Sequence, residues 1–326
     1  MRYRDLNIAL VIPCYNEAKT IAQVVREFKL AMPALEIYVF DNNSNDGTAA
    51  IAEKEGAQVV HVPLRGKGNV VRRMFADVDA DVYVMVDGDA TYDATAVPTL
   101  IDKLIDEKLD MVVGCRQTSA AIASEAYRHG HQWGNRLLTQ SVMQIFGGSF
   151  TDMLSGYRVF SRRYVKSIPA LSHGFEIETE LTVHALELRM PYGEVMTRYG
   201  ARPEGSESKL STYKDGWKIL KTIGRLYVSE RPFSFFGILA SLIAAVAIII
   251  SIPIILEFLQ AGVVPRFPTA ILSASMMVCS LLSFACGLIL DNVTRGRHEV
   301  KRLTYLGIPL AKAATQLVNL PPSKNT

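Results

Sequence analysis

The chain has 326 residues, 49% of them hydrophobic and 21% charged. Lys and Arg total 35 against 32 Asp and Glu, a net charge of +3, so no basic field marks a nucleic-acid binder. High apolar content with low net charge excludes a disordered chain, and the length suits about two domains. The four cysteines, Cys14, Cys115, Cys279 and Cys286, show no metal or disulfide spacing, which fits a reducing compartment.

Met1 to Asp5 is polar, and the first apolar run, Ile8–Ile12, is too short for a secretory signal. Residues 6–230 then alternate strand and helix patterns. Strand-like runs are Ile8–Ile12, Ile37–Phe40, Val59–Val62, Val82–Val86 and Met111–Val113. Helical periodicity falls at about 18–31, 47–56, 68–78 and 96–108. Apolar strands separated by helices predict an α/β fold whose mostly parallel sheet is covered on both faces. Ligand sites in such sheets form at the carboxyl ends of the strands. Polar clusters sit at those ends: Pro13-Cys14-Tyr15-Asn16-Glu17, Asp41 to Gly47, Arg65-Gly66-Lys67-Gly68 and Asp87-Gly88-Asp89.

Each cluster has its own chemistry. Asp87 and Asp89 lie two residues apart, on one side-chain parity, and can grip a hard divalent cation. Asp41 can accept hydrogen bonds from a ribose or a base. Asp46 reads as a helix cap. The Arg65–Gly68 turn offers backbone and cationic donors to phosphate or base.

Further along, Tyr127 to Phe146, with Arg128, Trp133 and Arg136, reads as a surface helix or equally as a core-packing one. Residues 212–230 interleave Trp217, Ile219, Leu220, Ile223, Leu226 and Tyr227 with Lys218, Lys221 and Arg225, the pattern of an interfacial amphipathic helix. A similar segment is expected at 300–318. Phe235 to Leu256 and Ala270 to Leu290 run 22 and 21 residues without a charge. At about 1.5 Å per residue each spans roughly 30 Å, a bilayer core. Lys218, Lys221, Arg225 and Arg231 precede the first span, and Arg295, Arg297, Lys301 and Arg302 follow the second. The positive-inside rule then places both termini in the cytoplasm, at the inner membrane. The expected layout is a cytoplasmic domain (1–211), an interfacial helix (212–234), two transmembrane helices (235–292) and a cytoplasmic tail (293–326). The six histidines fit no zinc spacing.

The four clusters in this order resemble a family 2 glycosyltransferase with a GT-A fold. Asp152-Met153-Leu154-Ser155-Gly156-Tyr157-Arg158 is similar to an element of dolichol-phosphate mannose synthase and its bacterial polyprenyl-phosphate relatives. Arg202-Pro203-Glu204-Gly205-Ser206-Glu207-Ser208-Lys209 resembles their loop that closes over the donor diphosphate. The resemblance covers essentially the whole chain, including the two spans. It implies that Pro13, Tyr15, Glu17 and Asp41 surround the nucleotide, with Lys67 nearby. It also implies that Asp87 sits by ribose and metal, that Asp89 ligates Mg²⁺ or Mn²⁺, and that Arg202 and Lys209 hold the diphosphate. Arg116 matches a family arginine facing the acceptor phosphate, and Ser155 and Arg158 belong to that region. One departure stands out: mannose synthases often carry a Gln two residues past the second Asp, where this chain has Thr91. Neither Thr91 nor Asp93 is counted as a ligand.

The family is inverting, which implies a single displacement at the anomeric carbon. A hydroxyl acceptor needs a general base, whereas a phosphate monoester with a second pKa of about 6 is already largely dianionic at pH 7. Arginines such as Arg116 and Arg158 suit a phosphate. Arg158 has a structural alternative, an ion pair with Asp152. Asp152 is the base expected for a hydroxyl acceptor. Glu176 and Glu178 are weaker candidates, better read as the first turn of a helix. The expected reaction moves a sugar from a nucleotide donor, uridine favoured over guanosine by the resemblance, to a polyprenyl phosphate. Relatives with two spans imply a homo-oligomer. Three alternatives remain open: a processive or hydroxyl-acceptor enzyme, which would carry more spans and a Gln-x-x-Arg-Trp string absent here; a non-catalytic membrane scaffold; and a sugar nucleotidyltransferase, which lacks support in a Gly-rich loop after the first strand.

Overall fold

Each apolar run expected to be a strand pairs into one sheet. The structure is a computed structural model that describes residues 3–117, 131–203 and 212–311, without the side chains of 131–137 and 212–215. In chain order the elements of the α/β part begin β1 (Ile8–Cys14), α1 (Ile21–Ala31), β2 (Leu35–Asp41), α2 (Thr48–Lys54), β3 (Gln58–His61), α3 (Lys67–Asp77) and β4 (Val82–Met85). They continue with α4 (Val97–Asp106), β5 (Met111–Gln117), α5 (His131–Phe146), β6 (Arg158–Ser161), α6 (Arg162–Ser167), α7 (Ile177–Glu187) and β7 (Tyr192–Arg198). The sheet order is β3-β2-β1-β4-β6-β5-β7.

Alternation along β1 shows why both faces are covered. Ile8, Leu10 and Ile12 join a core with α1 and α4, while Ala9 and Val11 join another with α3 and α7. Helix α1 buries Ile21, Val24, Val25 and Phe28, one apolar stripe at helical spacing. Helix α4 does the same with Val97, Leu100, Ile101 and Leu104.

One strand departs from the parallel rule. β6 runs antiparallel to both β4 and β5, with Arg158 opposite Met85 and Val113. All other paired strands are parallel. The insertion brings the start of β6, and the turn before it, to the edge where β4 and β5 end. Neither β6 nor β7 was foreseen: β6 is short and opens on a charge, and β7 is a half-exposed edge strand of mixed polarity.

Arg158 is therefore a structural residue, correcting the acceptor-phosphate role expected for it. It is fully buried. Its guanidinium donates to the Ser155 carbonyl at 2.9 Å, to the Met153 carbonyl and to Thr182 Oγ1 at 3.1 Å, tying the 153–155 turn to α7. Burial pushes its pKa below the ordinary guanidinium value. Ser155, expected on the acceptor side, is also fully buried, its hydroxyl donating to the Gly114 carbonyl at 2.6 Å, so it pins the turn to β5.

The chain divides into two compact units, Met1–Leu220 with Lys301–Thr326, and Lys221–Val300. Helix α8 (Thr212–Glu230) buries Ile219 and Ile223, one turn apart, and exposes Trp217, Lys218, Leu220 and Lys221. Helices α9 (Pro232–Ala261) and α10 (Phe267–Leu306) are long and apolar enough to cross a membrane. Their contact is a seam of mostly small residues at heptad spacing, Ala240, Ala247 and Ile254 on α9 and Ser273, Ser280 and Gly287 on α10, while Thr294 of α10 donates to the Ser229 carbonyl of α8 at 3.0 Å. Ser273 and Ser280 donate to the carbonyls of Ala247 and Ala240 at 3.0 and 2.8 Å. Ile248, Ile249, Leu281 and Leu282 point outward. Small residues inside with large apolar ones outside is the packing of helices solvated by lipid. α10 runs on through the start of the segment expected to be amphipathic at 300–318, of which 312–318 lie outside the described residues. Within the first unit, Tyr305 near its end donates to Asp110 at 2.8 Å, and Arg163 lies over its ring at 4.7 Å.

Replacing Arg158 by Ala leaves buried carbonyls without donors and is expected to destabilise the protein by about 2–4 kcal/mol. A thermal midpoint equal to wild type would contradict this structural role.

Candidate active site

The predicted clusters meet because β1, β2, β4 and β5 share a direction and end on one edge. Asp41 ends β2. It is buried, with Oδ2 accepting from the Ser44 N–H and facing His61 Nδ1, both at 3.3 Å. Its Oδ1 is buried without a partner among the described residues. A buried acceptor left open costs free energy until a donor arrives, as a nucleoside hydroxyl or N–H would. Tyr15 follows β1, with the Arg65 guanidinium 5.4 Å from its ring centre. Glu17 is buried; its N–H donates to Thr48 Oγ1, and the Thr20 hydroxyl reaches its carboxylate at 3.3 Å. Thr20 also donates to the Gly88 carbonyl at 2.7 Å, locking the β1 loop to the Asp87-Gly88-Asp89 turn. Pro13 is half-buried within β1. Asp46 accepts from the N–H and hydroxyl of Thr48 and from the Ala18 N–H, a local bracing role at the start of α2.

The glycine turn is held from outside. Gly68 donates to the His173 carbonyl at 3.1 Å, and a Cβ at Gly68 would lie 2.2 Å from the Ser172 carbonyl oxygen. Glu180 accepts the N–H groups of Leu171 and Ser172, and Arg72 donates to the carbonyls of 170–172, so this loop is firmly built. The result places Lys67 Nζ 2.5 Å from Asp87 Oδ1 and 2.6 Å from Glu178 Oε1. Burial opposes the Lys67 charge, yet the two carboxylates outweigh it and hold its pKa above the ordinary value. Glu178 is thus more than a helix-start residue: it is buried, and its Oε2 has no hydrogen-bond partner among the described residues. Glu176 does serve the helix start, accepting the N–H groups of His173 and Gly174.

Asp89 is buried. Its Oδ1 accepts the Thr91 hydroxyl at 2.6 Å, and its Oδ2 meets Arg202 Nη2 at 2.7 Å. Burial and then the Asp87 charge raise its pKa above the ordinary carboxylate value, against the Arg202 guanidinium and the Thr91 hydrogen bonds. Two carboxylates in a desolvated turn form an oxygen-only donor set that suits Mg²⁺ or Mn²⁺. Thr91 is occupied with Asp89, and Asp93 caps the following turn through the N–H and hydroxyl of Thr95.

Arg116, at the end of β5, meets Asp152 in two parallel bonds of 2.7 Å, Nε to Oδ2 and Nη2 to Oδ1. Asp152 thus pairs with Arg116 rather than with Arg158. Gly156 completes the site. Its N–H donates to the Tyr92 hydroxyl at 2.9 Å, and a Cβ there would fall 2.5 Å from Asp87 Oδ2. No spacing in the chain signals that Gly156 lies against Asp87, or that Glu178 meets Lys67. Lys209 lies outside the described residues.

The family model described as Glycosyl transferase family 2 matches residues 9–168. Glycosyltransferase AglJ of Haloferax volcanii is 36% identical over 231 residues, 71% of this chain and 75% of that protein. Dolichyl-phosphate hexose transferase of the same organism is 27% identical over 225 residues, 69% of this chain and 96% of that protein. Among solved structures, glucosyl-3-phosphoglycerate synthase from Mycobacterium tuberculosis with Mn²⁺, uridine-diphosphate-glucose and phosphoglyceric acid superposes with a TM-score of 0.54. That match covers 67% of this chain and 79% of the other at 23% identity, and it shows a shared GT-A fold. The chain belongs to glycosyltransferase family 2, and it is a glycosyltransferase.

Gly156→Ala is expected to keep the fold but push the Asp87 carboxylate aside, lowering transfer by about tenfold or more with a near-native thermal midpoint. Undiminished activity in that variant would mean that the placement of Asp87 is not critical.

Proposed function

We propose that the protein transfers a hexose, with inversion, from a nucleotide sugar to a polyprenyl phosphate at the cytoplasmic face of a membrane. The observation that carries the acceptor assignment is that one chain joins the acidic GT-A edge to two helices fit to span a bilayer. The names of its relatives agree, one being a dolichyl-phosphate hexose transferase.

Asp41, Tyr15 and Glu17, with Pro13, line the nucleoside side in this reading, and the open Oδ1 of Asp41 takes a hydrogen bond from the ribose or base. Asp87 and Asp89 hold a divalent cation, Mg²⁺ or Mn²⁺, which neutralises the departing diphosphate when bound. Lys67 orients Asp87, and Glu178 in turn fixes Lys67. Arg202, with Lys209, binds the diphosphate.

On the acceptor side, the phosphate oxygen forms the new bond to the anomeric carbon as the bond to the nucleoside diphosphate breaks. No proton leaves the acceptor, because the phosphate is already dianionic. Both carboxylate oxygens of Asp152 bond to Arg116, so this acid orients an arginine instead of standing ready to deprotonate a hydroxyl. Arg116, aimed this way, steers the lipid phosphate. The exposed Trp217, Lys218 and Lys221 of α8 suit a membrane surface. A uridine nucleotide and a homo-oligomeric state complete the proposal.

Membranes carrying the protein, given Mg²⁺, undecaprenyl or dolichyl phosphate and labelled nucleotide sugars, are expected to yield one labelled sugar per lipid. Asp89→Ala should lower that yield about a hundredfold or more. Absence of lipid-extracted label with every common donor contradicts the acceptor assignment, and a polymeric product points to processive synthesis.

A further inference from the structure

Arg202 bonds one of the carboxylate oxygens that a cation would need. Its Nη2 lies 2.7 Å from Asp89 Oδ2, and its Nη1 is buried with no hydrogen-bond partner among the described residues. The contrast with Arg116 is informative. Arg116 grips Asp152 with two parallel bonds, the strong geometry for this pair. Arg202 grips Asp89 through one nitrogen and leaves a second donor unmet, so its hold is the weaker and the more readily exchanged. The backbone keeps it in reach: Gly200 N–H donates to the Thr91 carbonyl at 2.8 Å, and Tyr199 bridges to Tyr92. Ala201 and Arg202 follow directly, where the chain leaves the sheet.

We propose that Arg202 is a built-in stand-in for the metal, neutralising Asp89 in the unliganded enzyme and moving to the donor diphosphate as the cation arrives. This rests on the reading of Asp87 and Asp89 as the metal site. The physical ground is simple. A buried carboxylate without a countercharge is costly, so Asp89 takes a cation from its own chain. A metal arriving alone must first evict the guanidinium, and its apparent affinity falls by the fraction of molecules in which Asp89 is open. A nucleoside diphosphate offers Arg202 a bidentate partner, satisfies its unmet Nη1, and frees Asp89. Metal and nucleotide therefore bind with positive coupling, and by linkage each tightens the other by the same factor. Neither ligand alone loads the site well, and the pair does.

The test uses full-length protein in detergent, with Mn²⁺ titrated alone and with saturating uridine diphosphate, free Mn²⁺ being read by electron paramagnetic resonance. In the wild type, the nucleotide should tighten Mn²⁺ by about tenfold. Arg202→Ala should bind Mn²⁺ alone about tenfold more tightly than wild type and lose most of the coupling. Arg202→Lys, which still supplies a cation to Asp89, should stay within about twofold of wild type for Mn²⁺ alone. A pure diphosphate ligand predicts no change in Mn²⁺ affinity without nucleotide, and a merely structural residue predicts a loss. Either result in Arg202→Ala overturns the stand-in role while leaving the metal site intact. Failure of the wild type to bind Mn²⁺ with or without nucleotide overturns the metal-site reading and this inference with it.

Discussion

Two carboxylates, Asp87 and Asp89, stand one residue apart at the end of a buried strand, and much of the site is arranged around their charge. Water cannot screen Asp89, which is almost wholly buried. The chain supplies countercharges from two directions. Lys67 arrives on the glycine turn at the start of α3, and Arg202 arrives past the end of β7. The neighbours maintain the geometry. Thr20 fastens the turn by its Gly88 carbonyl, Thr91 braces Asp89, and Gly156 leaves room for Asp87 because it has no side chain. The antiparallel insertion of β6 between β4 and β5 is what delivers Gly156 there, and buried Arg158 secures the turn that leads into β6.

The second unit solves a different problem with different residues. Its helices meet through Ala, Ser and Gly and leave their large side chains outside. Serine hydroxyls donate across the seam to backbone carbonyls, a contact that works without a hydrophobic driving force between the helices. A transferase whose acceptor is a lipid gains from such a partner unit, since an enzyme held at the bilayer meets its acceptor in two dimensions. The chemistry of the first unit agrees. A phosphate acceptor asks for arginine, and the acid best placed to act as a base is committed to one.

Much of the fold and part of the site are legible in the amino-acid sequence. Periodicity marked five strands and four helices because continuous Val and Ile runs and amphipathic stripes follow from burial on two faces. The two helices long and apolar enough to span a membrane were legible from the absence of charge. β6 and β7 were not, since a four-residue strand opening on Arg158 and an edge strand of mixed polarity carry no clean period. The acidic turn was legible because only Gly88 separates Asp87 from Asp89 in the sequence. Arg158 misled because a short motif does not say which way a side chain points; sheet insertion turned it inward to satisfy carbonyls. The Lys67–Glu178 pair was hidden because its members come from distant segments joined only by tertiary packing. The partner of Asp89 was hidden for the same reason: Arg202 was expected at a phosphate, and it meets Asp89 from a segment 113 residues away in the chain.

The central claim is that this acid pair always holds a positive charge, supplied by the chain when empty and by a metal when loaded. Anomalous diffraction from crystals grown with Mn²⁺ and uridine diphosphate tests it most directly. The account predicts a manganese peak at bonding distance from an Asp89 carboxylate oxygen, with the Arg202 guanidinium moved onto the diphosphate. Manganese bound elsewhere, with Arg202 still joined to Asp89, would contradict it.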